Sequence, residues 1–127
     1  MLGNQAQACT VTALLKPASA ANTAAATSAW VAVSEYEGDL MFVENVGVVT
    51  GGTLDGKIQH ADDGSGTNSA DVTGATFTQA TTSTDDRLEK IVVSANKLKA
   101  YVRYVGTIAT GPAVVSVEMI GTKKYTA

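Results

Sequence analysis

From Trp30 onward, apolar and polar residues alternate along most of this chain with a period of two. Successive side chains of a strand point to opposite faces, so this alternation predicts strands with one buried face each. Residues 99–108 are the clearest case. Tyr101, Arg103, Val105 and Thr107 fall on one face, and Val102, Tyr104, Gly106 and Ile108 on the other. Residues 54–61 read the same way, with Leu54, Gly56, Ile58 and His60 opposite Asp55, Lys57, Gln59 and Ala61. Further strands are predicted at 11–15, closed by Lys16-Pro17; at 30–33, extendable to Tyr36; at 40–46, broken at Gly47; at 75–78; at 88–93; and at 113–120. Glu37-Gly38-Asp39, Gly51-Gly52 and Gly111-Pro112 carry turn chemistry. Short strands separated by turn signals predict an all-β fold: an immunoglobulin-like or jelly-roll-like antiparallel β-sandwich.

Residues 18–29 interrupt this pattern. The tract is rich in alanine, which favours helix, but Ser, Thr and Asn break it and no apolar stripe emerges. It reads as a loop or an extended segment, with a short helix as the competing assignment. The division that follows is an N-terminal strand and Ala/Thr-rich arm over 1–29, then a sandwich domain over 30–127. The length of 127 residues suits one domain with a core of its own.

Charge narrows the field. Only 17% of residues are charged, so few repulsive groups keep neighbours away, which suits a protein packed against others. A net charge of −3 argues against a general nucleic-acid binder. Residues 1–86 hold two lysines against ten acids, whereas residues 87–127 hold seven basic side chains against two acids. Either strand pairing interleaves the two halves, or two faces of opposite sign dock to unlike surfaces. Cys9 is the single cysteine, so no disulfide forms within the chain, and its apolar surroundings suggest a small buried hydrophobe. No run approaches the length of a membrane span, and the first residues have neither the basic start nor the long apolar stretch of a signal peptide. Synthesis in a cytoplasm is expected.

Few residues suggest chemistry. Asp62-Asp63-Gly64-Ser65-Gly66 follows a good strand. Aspartate accepts hydrogen bonds from amides two residues on, and glycine supplies the positive φ of a tight turn. Asp62, Asp63 and Gly64 are therefore read as turn-forming, since a calcium loop would need more oxygen ligands at ordered spacing. His60 is the lone histidine, with no nucleophile motif to make it a catalytic base. The acid pairs Glu35/Glu37 and Asp85-Asp86 read as solvated turns. No catalytic residue, metal ligand or cofactor site is assigned, and no enzyme is expected. Tyr101, opening an alternating strand after Leu98, has the placement of a tyrosine corner.

The run Ile58-Gln59-His60-Ala61-Asp62-Asp63-Gly64, followed by Asp71-Val72-Thr73-Gly74-Ala75-Thr76-Phe77-Thr78, resembles a pattern in small structural proteins of tailed phages. Leu98-Lys99-Ala100-Tyr101-Val102-Arg103 and Gly121-Thr122-Lys123-Lys124-Tyr125 resemble later segments of the same family. The likeness spans about residues 54–125. That family often carries a tryptophan after the turn, where this chain has Thr67-Asn68-Ser69. The resemblance implies a β-sandwich capsid decoration (cement) protein that binds the outside of the major capsid shell and stabilises it. It also implies the major capsid protein as partner, a homodimer or homotrimer, a place on the virion surface, and no nucleic-acid or membrane partner. Two alternatives stand beside it: a carbohydrate-binding sandwich on the virion, and a tail or head-completion component. Ala18, Asn22, Thr23 and Thr27 are candidate contacts on an arm that orders on binding, and Arg87, Lys97, Lys99 and Arg103 are candidates for acidic capsid loops.

Overall fold

The structure is a computed structural model that describes residues 5–124. A single helical turn, Gln5–Ala8, precedes nine strands: β1 (Thr10–Ala20), β2 (Val31–Ala32), β3 (Tyr36–Val49), β4 (Gly52–Ala61), β5 (Ala70–Thr76), β6 (Ala80–Thr81), β7 (Arg87–Ser94), β8 (Tyr101–Thr110) and β9 (Ala113–Lys123). A 3-10 turn, Ala95–Lys97, joins β7 to β8.

The strands form two antiparallel sheets. One runs β1-β9-β3-β7; the other runs β2-β8-β4-β5, with the short β6 added beside β4. The pairing is nested. β4 pairs with β5, β3 with β7, β2 with β8, and β1 with β9. A long antiparallel hairpin wound into two layers gives this order, which is that of the jelly roll and not of an immunoglobulin sandwich. Nesting also sets the basic C-terminal strands among the acidic N-terminal ones. Ion pairs between the halves follow, Arg87 with Glu44 at 3.7 Å and Lys123 with Glu35 at 3.4 Å.

The alternation closes a core between the layers. Leu40, Phe42 and Val46 of β3, and Val115, Val117 and Met119 of β9, face Leu54 and Ile58 of β4 and Val102 and Tyr104 of β8, all buried. Burying each such side chain contributes about 1.5–3 kcal/mol. Phe77 closes the side near Tyr104, ring centroids 6.1 Å apart.

Several elements differ from the sequence pattern. β1 does not stop at Lys16-Pro17 but runs to Ala20. It is an edge strand, where a proline can point its missing donor outward, and its register slips between Leu15 and Ala18. Glu37-Gly38-Asp39 lies inside β3 rather than ending a strand. Gly38, at φ +73°, marks the slip between Glu37 and Met41. β3 also continues past Gly47 to Val49, with another slip. Tyr36 begins β3 instead of extending β2, and the strand expected at 75–78 is Ala70–Thr76. Ala61 is buried, so the alternation of β4 breaks at its end. Cys9 is exposed, not buried. Tyr101 is partly exposed, and the tyrosine that ties the layers is Tyr104.

Residues 18–20 of the Ala/Thr-rich tract close β1, and residues 21–29 are stitched to the sandwich as a loop. Ser28 N–H donates to the Tyr104 carbonyl and Tyr104 N–H to Ser28 Oγ, both at 2.9 Å. Gly106 N–H donates to the Ala26 carbonyl at 3.0 Å, and Ile108 N–H to Thr23 Oγ1 at 3.0 Å. Ala26 is wholly buried.

Candidate functional site

The two sheets present unlike outer faces, and the difference starts from register. Paired residues share a face of a sheet. On the outer side of the β2-β8-β4-β5 sheet, Arg103 lies beside Gln59, and Gln59 beside Asp71. Arg103 donates to Gln59 Oε1 through Nε at 3.0 Å and Nη2 at 2.9 Å. Gln59 in turn donates to Asp71 Oδ1 at 2.9 Å, and Lys57 reaches Asp71 Oδ2 at 3.1 Å. The Arg103 guanidinium also lies over the Trp30 ring, 4.5 Å from its centroid, a cation–π contact. Gln59 and then Lys57 hold the Asp71 carboxyl below its ordinary range. Polar groups on this face are satisfied by one another.

The loop after β4 extends that face. Asp63 Oδ1 accepts the amides of Ser65 at 2.9 Å and Thr67 at 3.1 Å, and the Asp62 amide donates to the Thr67 carbonyl at 2.9 Å. Bonds from Thr67 and Ser65 push the exposed Asp63 carboxyl below its ordinary range. Gly66, at φ +85°, brings the loop against Trp30: a Cβ there would lie 3.1 Å from Trp30 Nε1. His60 Nδ1 accepts the Lys99 amide at 3.3 Å, and burial, then the Lys99 charge, lowers its pKa. Among the described residues, no three metal-ligating side chains gather in one place.

The outer side of the β1-β9-β3-β7 sheet is different. Val92, Met41, Ile120 and Val11 form one row across all four strands, and Lys90, Val43, Glu118 and Ala13 form the next. Val11 is 64% exposed, Leu88 68%, Val92 54%, Val48 55% and Val114 40%. Every strongly exposed large aliphatic among the described residues therefore belongs to this one sheet. Met41, Val43, Leu88, Glu89 and Lys90 line a shallow depression on it. Scattered exposed aliphatics need no explanation, but a contiguous face of them marks a contact surface.

Between the layers sits a polar group that the pattern of β3 conceals. Glu44 points inward, 1% exposed, and its Oε2 accepts the Tyr104 hydroxyl at 2.5 Å. Its other oxygen has no hydrogen-bond partner among the described residues. Burial raises the Glu44 pKa from 4.5 to about 7, against the pull of Tyr104 and Arg87. Burial first, and then the Glu44 charge, pushes the Tyr104 phenol far up. Arg87 turns inward too, donating to the carbonyls of Thr78 and Gln79. Alternation signals this site: Glu44 occupies the phase of Leu40, Phe42 and Val46.

The residues singled out as candidate contacts do not gather on one surface. Arg87 is engaged at Glu44, and Arg103 at Trp30 and Gln59. Lys99 Nζ donates to the Asn68 carbonyl at 2.6 Å. Lys97 is exposed on the 3-10 turn. Ala18 is exposed on β1 opposite Val115. Asn22 caps the following turn through Oδ1 to the Ala25 amide at 2.9 Å. Thr23 bonds to β8 as above, and Thr27 bridges to Val105. Tyr125, the last residue of the phage-like C-terminal segment, lies outside the described residues, as does the start of the expected arm, residues 1–4.

Solved structures of similar fold include the SPBc2 prophage-derived protein YomS. It is 12% identical, aligned over 91% of this chain and 93% of that one with a TM-score of 0.53. The VP2 subviral particle of infectious bursal disease virus is 14% identical over 91% of this chain, with a TM-score of 0.51, and this chain spans 32% of its length. At such identities the likeness shows a shared fold. No family model matches the sequence, and no curated protein matches it either.

Proposed function

We propose that this chain is a structural protein of a phage virion that acts by adhesion through broad surface. In the finer form of this reading it is a decoration protein, bound outside the major capsid shell and stabilising it. The observation that carries the reading is the aliphatic outer face of the β1-β9-β3-β7 sheet on a jelly roll. A prophage-derived protein and the VP2 protein of a virus's subviral particle have folds like this one, which supports the assignment. The role asks for no catalytic site. It asks for contact area repeated over many copies, so that weak single contacts sum by avidity.

Electron microscopy of virions labelled at this protein tests the reading, together with co-sedimentation on purified expanded capsids. Label over the head faces and saturable binding to capsids support decoration. Label on the tail replaces it with a tail component, and absence from the virion ends the structural reading. The carbohydrate alternative requires aromatics open on one face. Trp30 and Tyr101 are both partly buried, and Trp30 lies under Arg103, so silence on a glycan array is expected.

A further inference from the structure

We infer that the outer face of the β1-β9-β3-β7 sheet binds a second copy of this chain, face to face, about a two-fold axis running along β3. This deepens the adhesive reading above by naming the first occupant of the aliphatic face. Capsid binding is a separate matter, because the dimer forms without a shell.

Two rows of side chains form the centre of this face. The upper row is wholly apolar: Val92 on β7, Met41 on β3, Ile120 on β9 and Val11 on β1. The row beside it carries the face's central charges, Lys90 on β7 and Glu118 on β9, with Val43 between them. Among the described residues neither Lys90 nor Glu118 makes an ion pair. An uncharged apolar partner would strip water from both charges and return nothing, which is costly. A partner for this face must therefore bring an acid opposite Lys90 and a base opposite Glu118, at the same height and two strands apart.

A second copy meets that requirement. Rotation about an axis along β3 keeps each residue's height along the strands and exchanges the flanking strands, so β7 opposes the partner's β9. Lys90 then faces the partner's Glu118, and Glu118 faces the partner's Lys90, giving two equivalent pairs. In the apolar row Val92 faces the partner's Ile120, and Met41 meets its own symmetry mate. Sheets packed in this way stand about 10 Å apart, within reach of opposed long side chains. The contact is isologous and self-limiting, ending at a dimer. Moving the axis to lie between β3 and β9 sets Glu118 against Val43 and Lys90 against Ala13, leaving both charges on apolar partners. Charge placement thus selects β3 as the axis. The opposite sheet offers no such requirement, since Arg103, Gln59, Asp71 and Lys57 already satisfy one another.

Sedimentation equilibrium of the full chain across the micromolar range tests this, on the parent and three variants. The parent is expected to be a dimer. Lys90→Glu and Glu118→Lys each place like charges opposite one another and should weaken the dimer by about tenfold or more. The double variant K90E/E118K re-forms both pairs with reversed sign and should recover most of the loss. Both substituted positions, Lys90 and Glu118, lie on the outer face of the sheet, so circular dichroism should show the same folded spectrum throughout. A monomeric parent, a trimer, a dimer indifferent to the single changes, or a double variant as weak as the singles would each overturn the proposal. A dimer that behaves as expected yet leaves capsids unbound would sustain this inference while ending the decoration reading.

Discussion

On β4 and β8 the outward side chains include Lys57, Gln59 and Arg103; on β3 and β7 they include Met41, Val43, Leu88 and Val92. Inside, both sheets bury mainly apolar side chains, Leu54, Ile58 and Val102 on one and Leu40, Phe42 and Val117 on the other, but the sheet with the aliphatic exterior also buries Glu44 and half-buries Arg87. A chain folding only for its own stability would place these groups the other way about on the second sheet. The first sheet is finished as a solvent surface. The second has the exterior of a layer that expects to be covered, and its stability in isolation is lowered by an acid held in the core.

Four changes test how deep that contrast runs. The largest effect should come from beneath the polar face, where Gly56 makes room for the Glu44 carboxylate and the Tyr104 hydroxyl. A methyl there collides with both. Gly56→Ala should cost about 3 kcal/mol, read as a fall in the urea midpoint. Next is the buried acid itself. Its pKa is raised from 4.5 to about 7, so over that interval the folded state holds a proton that the unfolded chain has released. The Glu44 contribution to stability is fullest below about pH 4.5 and declines as pH rises towards 7, by up to about 3 kcal/mol. Urea titrations across that range should show the decline in the parent and its loss in Glu44→Gln. A flat parent profile would mean that Glu44 is already ionised and satisfied. On the polar face, Arg103→Ala breaks the contacts with Trp30 and Gln59 and should cost about 1–2 kcal/mol, seen as a lower melting temperature. The smallest effect belongs to the aliphatic face. Leu88 is 68% exposed, so Leu88→Ser should change protomer stability in dilute solution by less than about 0.5 kcal/mol. Equal costs for Arg103→Ala and Leu88→Ser would erase the distinction between the faces.

The sequence displays some of this directly. The faces of β8 can be read by eye, because an antiparallel strand with one side in water imposes period two on its residues. Val102, Tyr104 and Gly106 are indeed the inward set. The association of residues 23–28 with β8 cannot be read that way. It rests on backbone amides and on Thr23 and Ser28 side chains, which bond without periodicity. Pro17 looked like a terminator because its tolerance depends on being at an edge, a property of sheet order. Glu44 was visible in phase with Leu40 and Phe42 but reads there as an exception to an apolar strand. Its partners, Tyr104 and Arg87, lie 60 and 43 positions further on. The aliphatic face eluded a strand-by-strand reading for a related reason. Met41, Val92, Ile120 and Val11 come from four strands, and register alone lines them up.

Nested pairing has a consequence for how the chain is made. β9 lies between β1 and β3, and among the described residues β1 has no other strand beside it. A ribosome that has finished β1 must synthesise roughly ninety further residues before its neighbour exists, and contacts so distant in sequence form slowly. Until then the first strand is an unclaimed edge, whose proline and irregular spacing would discourage the wrong companion.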